Sequence, residues 1–256
     1  MKKVLITGMS GLIGGILREH LETVGGYELS ALNRSPVESV KCHQADITDL
    51  EAIKPAFEGI DAVVHLAAVK PPGVWPYDEP ADENLIGVYN VFEAARLAGV
   101  QRIVFASSGG VSQGWELVSP YKAIAEGRYG DLHESWPMIT RDQVRPMSIY
   151  NSSKLWGEAL GRHMSDLYGI SILCVRLGTT RPENRPGTTR ELATYISHRD
   201  CADVLHRSME APDELKYEVY FAHSDNKWGY PDPEHVKKVL GWEPRDSADD
   251  FDLGPL

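Results

Sequence analysis

The stretch "KVLITGMSGLIGGIL", residues 3–17, sets an uninterrupted apolar run directly before three glycines spaced T-G-x-x-G-x-x-G. A run of this kind suits a strand covered on both faces, and the positions Leu12, Ile13, Ile16 and Leu17 that follow can share one face of a helix. In a strand–turn–helix unit each glycine has its own task. Gly8 can make the tight turn, Gly11 can let the backbone approach a pyrophosphate, and Gly14 can let the helix pack close to the sheet. The helix N-terminus then faces the phosphates. Spaced glycines also suit an ordinary turn, so position separates the readings. This loop follows the first strand, opens a helix, and precedes the end of the second strand by about 20 residues. That context predicts a dinucleotide site formed by Gly8, Gly11, Leu12, Ile13 and Gly14.

The rest of the chain repeats the alternation. Lys3–Thr7, Tyr27–Asn33, Ala62–Leu66, Arg102–Ser107 and Ile170–Leu177 read as strands, with helical patterns around 12–25, 49–58, 80–98 and 148–168. This order predicts an α/β fold, a Rossmann-type doubly wound parallel sheet. The 256 residues, 42% of them hydrophobic, suffice for a single domain over 1–256 with a small C-terminal substrate lobe from 178–198 and 224–256. "YEVYFA" is strand-like, and "KPPGVWPYDEP", residues 70–80, reads as a loop over the ligand site.

A net charge of −11 argues against nucleic acid or an anionic membrane as partner, leaving a small-molecule substrate, which can itself be anionic. Cys42, Cys174 and Cys201 have neither disulfide-framework nor metal-ligand spacing, so no metal site is expected and a reducing, cytoplasmic setting is. The first apolar run is too short for a signal-peptide core.

At the end of the second strand, where an acid commonly binds the ribose hydroxyls, the chain has Asn33, Arg34 and Ser35. A guanidinium suits a 2′-phosphate, so the cofactor is read as NAD(P), with NADP favoured over NAD. Arg34 could instead be a solvated loop residue or stack on adenine. In "ADITD", Asp46 and Ile47 can lie beside the adenine, or the polar residues can cap the next helix.

"IYNSSKLWGEAL" sets Tyr150 and Lys154 four apart, on one helix face. A nearby ammonium and a bound nicotinamide would favour the phenolate, bringing Tyr150 toward use as a general base. The strand "RIVFASS" ends in Ser107 and Ser108, either of which can offer a hydroxyl to a substrate oxygen.

With "TGMSGLIG", "HLAA" (65–68), "ENLIGVYNVFEAAR" (83–96), "FASS" (105–108) and "YNSSK" (150–154), nearly the whole chain resembles the extended short-chain dehydrogenase/reductases, the NAD-dependent epimerase/dehydratase family. The resemblance implies Tyr150 as acid/base, Lys154 as ribose ligand and tuner of Tyr150, and Ser108 rather than Ser107 as the substrate-orienting hydroxyl. It also implies Leu66, Ala67 and Ala68 against the cofactor and Asn84 near the substrate, although Asn84 could equally tie its helix to the backbone. A homodimer is implied too, through the helices bearing Asn84 and Tyr150, with Leu155, Trp156 and Leu160 as candidates for the seam.

Only 102 residues follow Lys154, short for the nucleotide-sugar branches. The tail "RLGTTRPENRPGTTRELATYISHRDCADV", with "AHSDNKWGY" and "VLGWEPRD", resembles the uronate dehydrogenase branch. That likeness implies an NAD(P)-dependent oxidoreductase acting on a small sugar or sugar acid, with Gly109 at the substrate and Arg190 gripping its carboxylate, although Arg190 could instead pair with Glu191 or another neighbour. A nucleotide-sugar epimerase or dehydratase and a non-catalytic NADP-sensing regulator are the competing readings. Gly109-Gly110 departs from that branch, which has polar side chains after the serine. In the segment 112–147, Trp115, Tyr121, Lys122 and Trp136 can cover a sugar ring or simply pack. His133 and His198 are assigned no ligand role.

Overall fold

The computed structural model describes residues 1–69 and 81–252; the expected loop at 70–80 lies outside the described residues. Seven strands form one all-parallel sheet: β1 (Lys2–Thr7), β2 (Tyr27–Asn33), β3 (Lys41–Gln44), β4 (Ala62–His65), β5 (Arg102–Ser108), β6 (Ser171–Leu177) and β7 (Tyr217–Ala222). Their order is β3-β2-β1-β4-β5-β6-β7, so the chain reverses direction across the sheet between β1 and β4. That switch point is where an open α/β sheet leaves a crevice at its carboxyl edge. β3, "KCHQ", escaped the sequence reading: it lies at the edge beside β2, with one side unpaired, and carries no apolar run.

The helices are α1 (Leu12–Val24), α2 (Leu50–Ile53), α3 (Val88–Leu97), α4 (Tyr121–Ala125), α5 (Ile149–Tyr168), α6 (Glu191–Thr194), α7 (His198–Met209) and α8 (Glu234–Leu240). Successive strand residues point to opposite faces, so each central strand feeds two cores. Val4, Ile6, Val64 and Val104 pack under α1 and α7, against Leu17, Leu21, Val204 and Leu205. Leu5, Val63, Ile103 and Phe105 pack under α3 and α5, against Val91, Phe92, Leu160 and Met164. Both faces being covered explains why "KVLIT" is continuously apolar. It also places Leu160 in the core rather than on the expected dimer seam, at 8% exposure.

Two helices show how local sequence sets their ends. Ser148 caps α5 by accepting from the Asn151 N–H, and Gly169 ends it in the left-handed conformation at φ 71°. In α1 the buried face is Gly14, Leu17 and Leu21; Leu12, expected on it, is 38% exposed. The rotation follows from Gly14, which lies directly on the backbone of Gly8 and Met9.

A third cluster builds the lobe from Tyr121, Ile124, Ile139, Ala193, Phe221 and Tyr230, with Trp115, Trp136 and Trp228 packed on it. The Ile139 N–H donates to the Tyr230 carbonyl (2.7 Å) and the Asp232 N–H to the Ile139 carbonyl (2.9 Å). The lobe therefore draws on 112–147 as well as on the tail. Among the described residues no helix is long and apolar enough to cross a membrane.

Candidate active site

Two adjoining cavities open at the carboxyl edge of the sheet and share Leu66 and Ala68 in their walls. The smaller, about 260 Å³, is lined by Gly8, Ser10 and Gly11 of the glycine loop, by Asn33 and Arg34 after β2, and by Asp46, Ile47 and Ala67. Gly8 turns the chain at φ 72°, and a Cβ there would stand 2.8 Å from the Ala67 nitrogen. Gly14 is equally constrained, since its Cβ would lie 2.5 Å from the Gly8 oxygen. Gly11 differs: a Cβ would meet only the Gly8 oxygen, at 3.3 Å, and the residue is exposed at the mouth of α1. α1 has no acidic residue in its first turn, so its free N–H groups are unopposed. This loop fits a pyrophosphate. Ile13 lines the larger cavity, whereas Leu12 lies in the wall of neither.

Asn33 does more than replace an acid. Its Oδ1 accepts from the Met9 N–H (2.9 Å) and its Nδ2 donates to Ser10 Oγ (2.5 Å), bracing the glycine loop from β2. Arg34 is 66% exposed and pairs with Glu83 at 3.2 Å. Asp46 accepts from the backbone N–H (2.9 Å) and the hydroxyl (2.8 Å) of Thr48, and these bonds hold its carboxyl below the ordinary range against the opposing effect of burial. Asp46 thus closes a local turn; the N-cap of α2 is Asp49.

The larger cavity, about 440 Å³, receives Ser108, Tyr150 and Lys154 together with Gly109 and Arg190. β5 separates the two serines. Ser107 Oγ donates to Glu158 Oε1 (2.6 Å), inside a buried pair in which Arg176 donates to both Glu158 oxygens at 2.9 and 2.8 Å. Ser108 lines the cavity and accepts from the Gly110 N–H (3.1 Å). One turn apart on α5, Lys154 Nζ stands 5.4 Å from the centre of the Tyr150 ring and donates to the Ala106 carbonyl at 2.9 Å. Burial pulls the ammonium down to about 8, with Glu158 opposing. Burial pushes the Tyr150 phenol up. The expected lowering by Lys154 and a bound nicotinamide concerns the loaded site; in the protein alone, loss of hydration governs.

Asn84 also departs from expectation. It accepts from the Val69 N–H (2.9 Å) and donates to the Val69 carbonyl (2.6 Å), so it fastens the segment after β4 and does not line the cavity. Both its polar atoms are committed to backbone. Arg190 is a second correction. The guanidinium expected to await a substrate carboxylate is held by Glu116, with Nε at 2.9 and 2.7 Å and Nη2 at 2.7 Å. Burial disfavours its charge, but Glu116 outweighs that and raises the affinity for the proton.

The aromatics of 112–147 are spent on packing. Trp115 Nε1 donates to the Gln143 carbonyl, Tyr121 to that of Pro137, and Trp136 Nε1 to that of Gly229, while Lys122 is exposed. The residues that sequence reasoning missed include Gln113, Asn151, Thr179, Thr180, Thr194, His223 and Tyr230, all in the cavity wall. A clue to His223 lay in Gly109, because a Cβ there would approach His223 Nε2 to 3.2 Å; the histidine takes the room the glycine leaves. Burial and then Arg190 hold the His223 imidazole down at about 3, so it is neutral. Gly110 has a similar reason, since its Cβ would stand 2.5 Å from Asn151 Oδ1.

The sequence matches the NAD dependent epimerase/dehydratase family over residues 4–199. It is 31% identical to an NAD-dependent glucose-6-phosphate dehydrogenase of Haloferax volcanii, over 97% of this chain and 95% of that one. It is 32% identical to a uronate dehydrogenase of Agrobacterium fabrum, over 98% of this chain and 87% of the relative. The crystal structure of uronate dehydrogenase from Agrobacterium tumefaciens superposes with a TM-score of 0.78 at 31% identity, covering 98% of this chain and 87% of that one.

Proposed function

The chain belongs to the NAD dependent epimerase/dehydratase family, and from that membership we propose that it oxidises a small sugar or sugar acid, with NAD or NADP as the acceptor. The observation that carries the reading is the convergence of Ser108, Tyr150 and Lys154 on one cavity that adjoins the glycine-loop cleft. When bound, the nicotinamide supplies the hydride acceptor. The chain's own residues supply the rest. Ser108 orients the reacting hydroxyl, and Tyr150 takes its proton as the carbon–hydrogen bond breaks and the carbonyl forms. Lys154, anchored on Ala106, places a positive charge beside the phenol and favours its ionised form. Relatives named as dehydrogenases of glucose 6-phosphate and of uronates support a substrate of sugar size.

Three finer points belong to the same proposal. Arg34, exposed at the edge of the smaller cavity, favours NADP through the 2′-phosphate. The cysteines Cys42, Cys174 and Cys201 are all free, in keeping with a cytoplasmic setting. Two copies associate through the exposed Ile86, Tyr89 of α3 and Trp156 of α5; Trp156 Nε1 donates to the Leu85 carbonyl at 3.2 Å, which sets its ring beside the turn that leads into α3. The function is tested by following nucleotide reduction at saturating NAD and NADP across aldoses, aldose phosphates and uronates. Turnover with a member of the panel is expected; no reduction with any of them defeats the reading.

A further inference from the structure

We infer that the site selects a neutral aldose over the corresponding uronate, because Glu116 already occupies the guanidinium that a substrate carboxylate would need. The inference rests on the sugar-oxidising reading and specifies its substrate class. Glu116 takes the Nε/Nη2 edge of Arg190 through three contacts of 2.7–2.9 Å, the geometry a bound carboxylate would adopt. It also accepts from the Tyr230 hydroxyl. Its side chain is only 10% exposed, against 32% for Arg190, so the carboxylate sits behind the guanidinium, away from solvent.

A substrate carboxylate would have two ways to reach Arg190, and both are unfavourable. Displacing Glu116 leaves a buried anion without its cation. Approaching the remaining edge puts two carboxylates on one guanidinium whose charge is already balanced, so the repulsion from Glu116 offsets most of the attraction. A sugar hydroxyl accepts an N–H from that edge without either penalty.

The rest of the wall agrees. Its titratable groups are Lys154, Tyr150, Arg190, His223 and Tyr230. Lys154 is committed to the Ala106 carbonyl at the reacting end, and Tyr230 donates to Glu116. His223 is neutral. Gln113, Thr179 and Thr194 add uncharged donors and acceptors of the kind that read sugar hydroxyls.

The test compares kcat/KM for two matched pairs, glucose with glucuronate and galactose with galacturonate, in the unmodified protein and in Glu116→Gln and Glu116→Ala. The unmodified protein is expected to favour the aldose by about tenfold or more, and the variants to lose or invert that preference. A uronate preference in the unmodified protein overturns the inference, as does an unchanged ratio in a variant that keeps its circular dichroism and its aldose turnover. Should both variants misfold, inhibition of aldose oxidation by the uronate in the unmodified protein decides: an inhibition constant below the aldose KM overturns the inference, and one about tenfold above it supports it. Absence of turnover with every sugar would defeat the oxidation reading instead. Selection is then read from Tm in the presence of NAD or NADP: a larger rise with the aldose supports it, and a larger rise with the uronate overturns it.

Discussion

Lys154 donates its ammonium to the carbonyl of Ala106 across 2.9 Å, tying the cavity-lining face of α5 to β5 two residues before Ser108. Lys154 and Tyr150 share that face but differ in task, and their variants should separate. Tyr150→Phe is expected to lower kcat by roughly 10²–10⁴-fold while cofactor affinity stays within about twofold. On the proposed role of its ammonium as a ribose ligand, Lys154→Met should lower kcat and also weaken the cofactor by about tenfold. Calorimetric titration of NAD and NADP with steady-state kinetics reads both effects.

Burial shifts this pair toward its neutral forms, the Tyr150 phenol upward and the Lys154 ammonium down to about 8. With the ionised phenol as the proposed base, kcat/KM for oxidation should rise with pH from neutrality into the alkaline range, by about one decade per pH unit on the limiting limb. A flat profile over that range would remove Tyr150 as the titrating base.

The same shift makes a stability prediction. Between the folded value of about 8 and the ordinary 10.5 the unfolded chain holds more protons at Lys154 than the folded one, so its contribution makes stability rise with pH across that window. Urea denaturation of Lys154→Met should lack this part of the slope.

The glycine loop predicts two different failures. In Gly14→Val the new Cβ would stand 2.5 Å from the Gly8 oxygen and the Met9 Cα, so folding stability should fall by about 1–3 kcal/mol or more. In Gly11→Val the backbone, at φ −77°, is permissive and the nearest atom is 3.3 Å away. That variant should keep its urea midpoint and lose cofactor affinity, because the side chain fills pyrophosphate space.

Arg34→Ala should weaken NADP by about tenfold and change NAD by less than about twofold. Glu83→Gln, which releases Arg34 from its 3.2 Å pair, should strengthen NADP. Equal effects on the two nucleotides, measured by intrinsic fluorescence titration, would remove Arg34 from 2′-phosphate recognition.

Association is read by light scattering. The unmodified protein should have a dimer mass at micromolar concentration, and Tyr89→Asp with Trp156→Asp should return it to a monomer, since each replaces an exposed apolar side chain of α3 or α5 by a charge.

What the sequence by itself determined is what neighbours in the chain decide. Glycine spacing after an apolar run specifies a strand, a turn and a helix, and Tyr150 and Lys154 meet because a helix brings residues four apart together. The parallel architecture followed from strands whose consecutive residues are all apolar, as two covered faces require. Other outcomes depended on partners remote in sequence. Ser107 and Ser108 are adjacent, chemically alike and both in the cavity wall; only the buried Glu158, 51 residues away, engages the Ser107 hydroxyl and leaves Ser108 to the substrate. Asn84 had equal claim to substrate and to backbone until packing set it on Val69. A local reading offers Arg190 a substrate carboxylate or its neighbour Glu191, and the partner that packing gives it is Glu116, 74 residues earlier. Which buried polar group finds which partner is settled by the whole packed chain, because burial is what makes an unpaired group costly, and no stretch of sequence contains that condition.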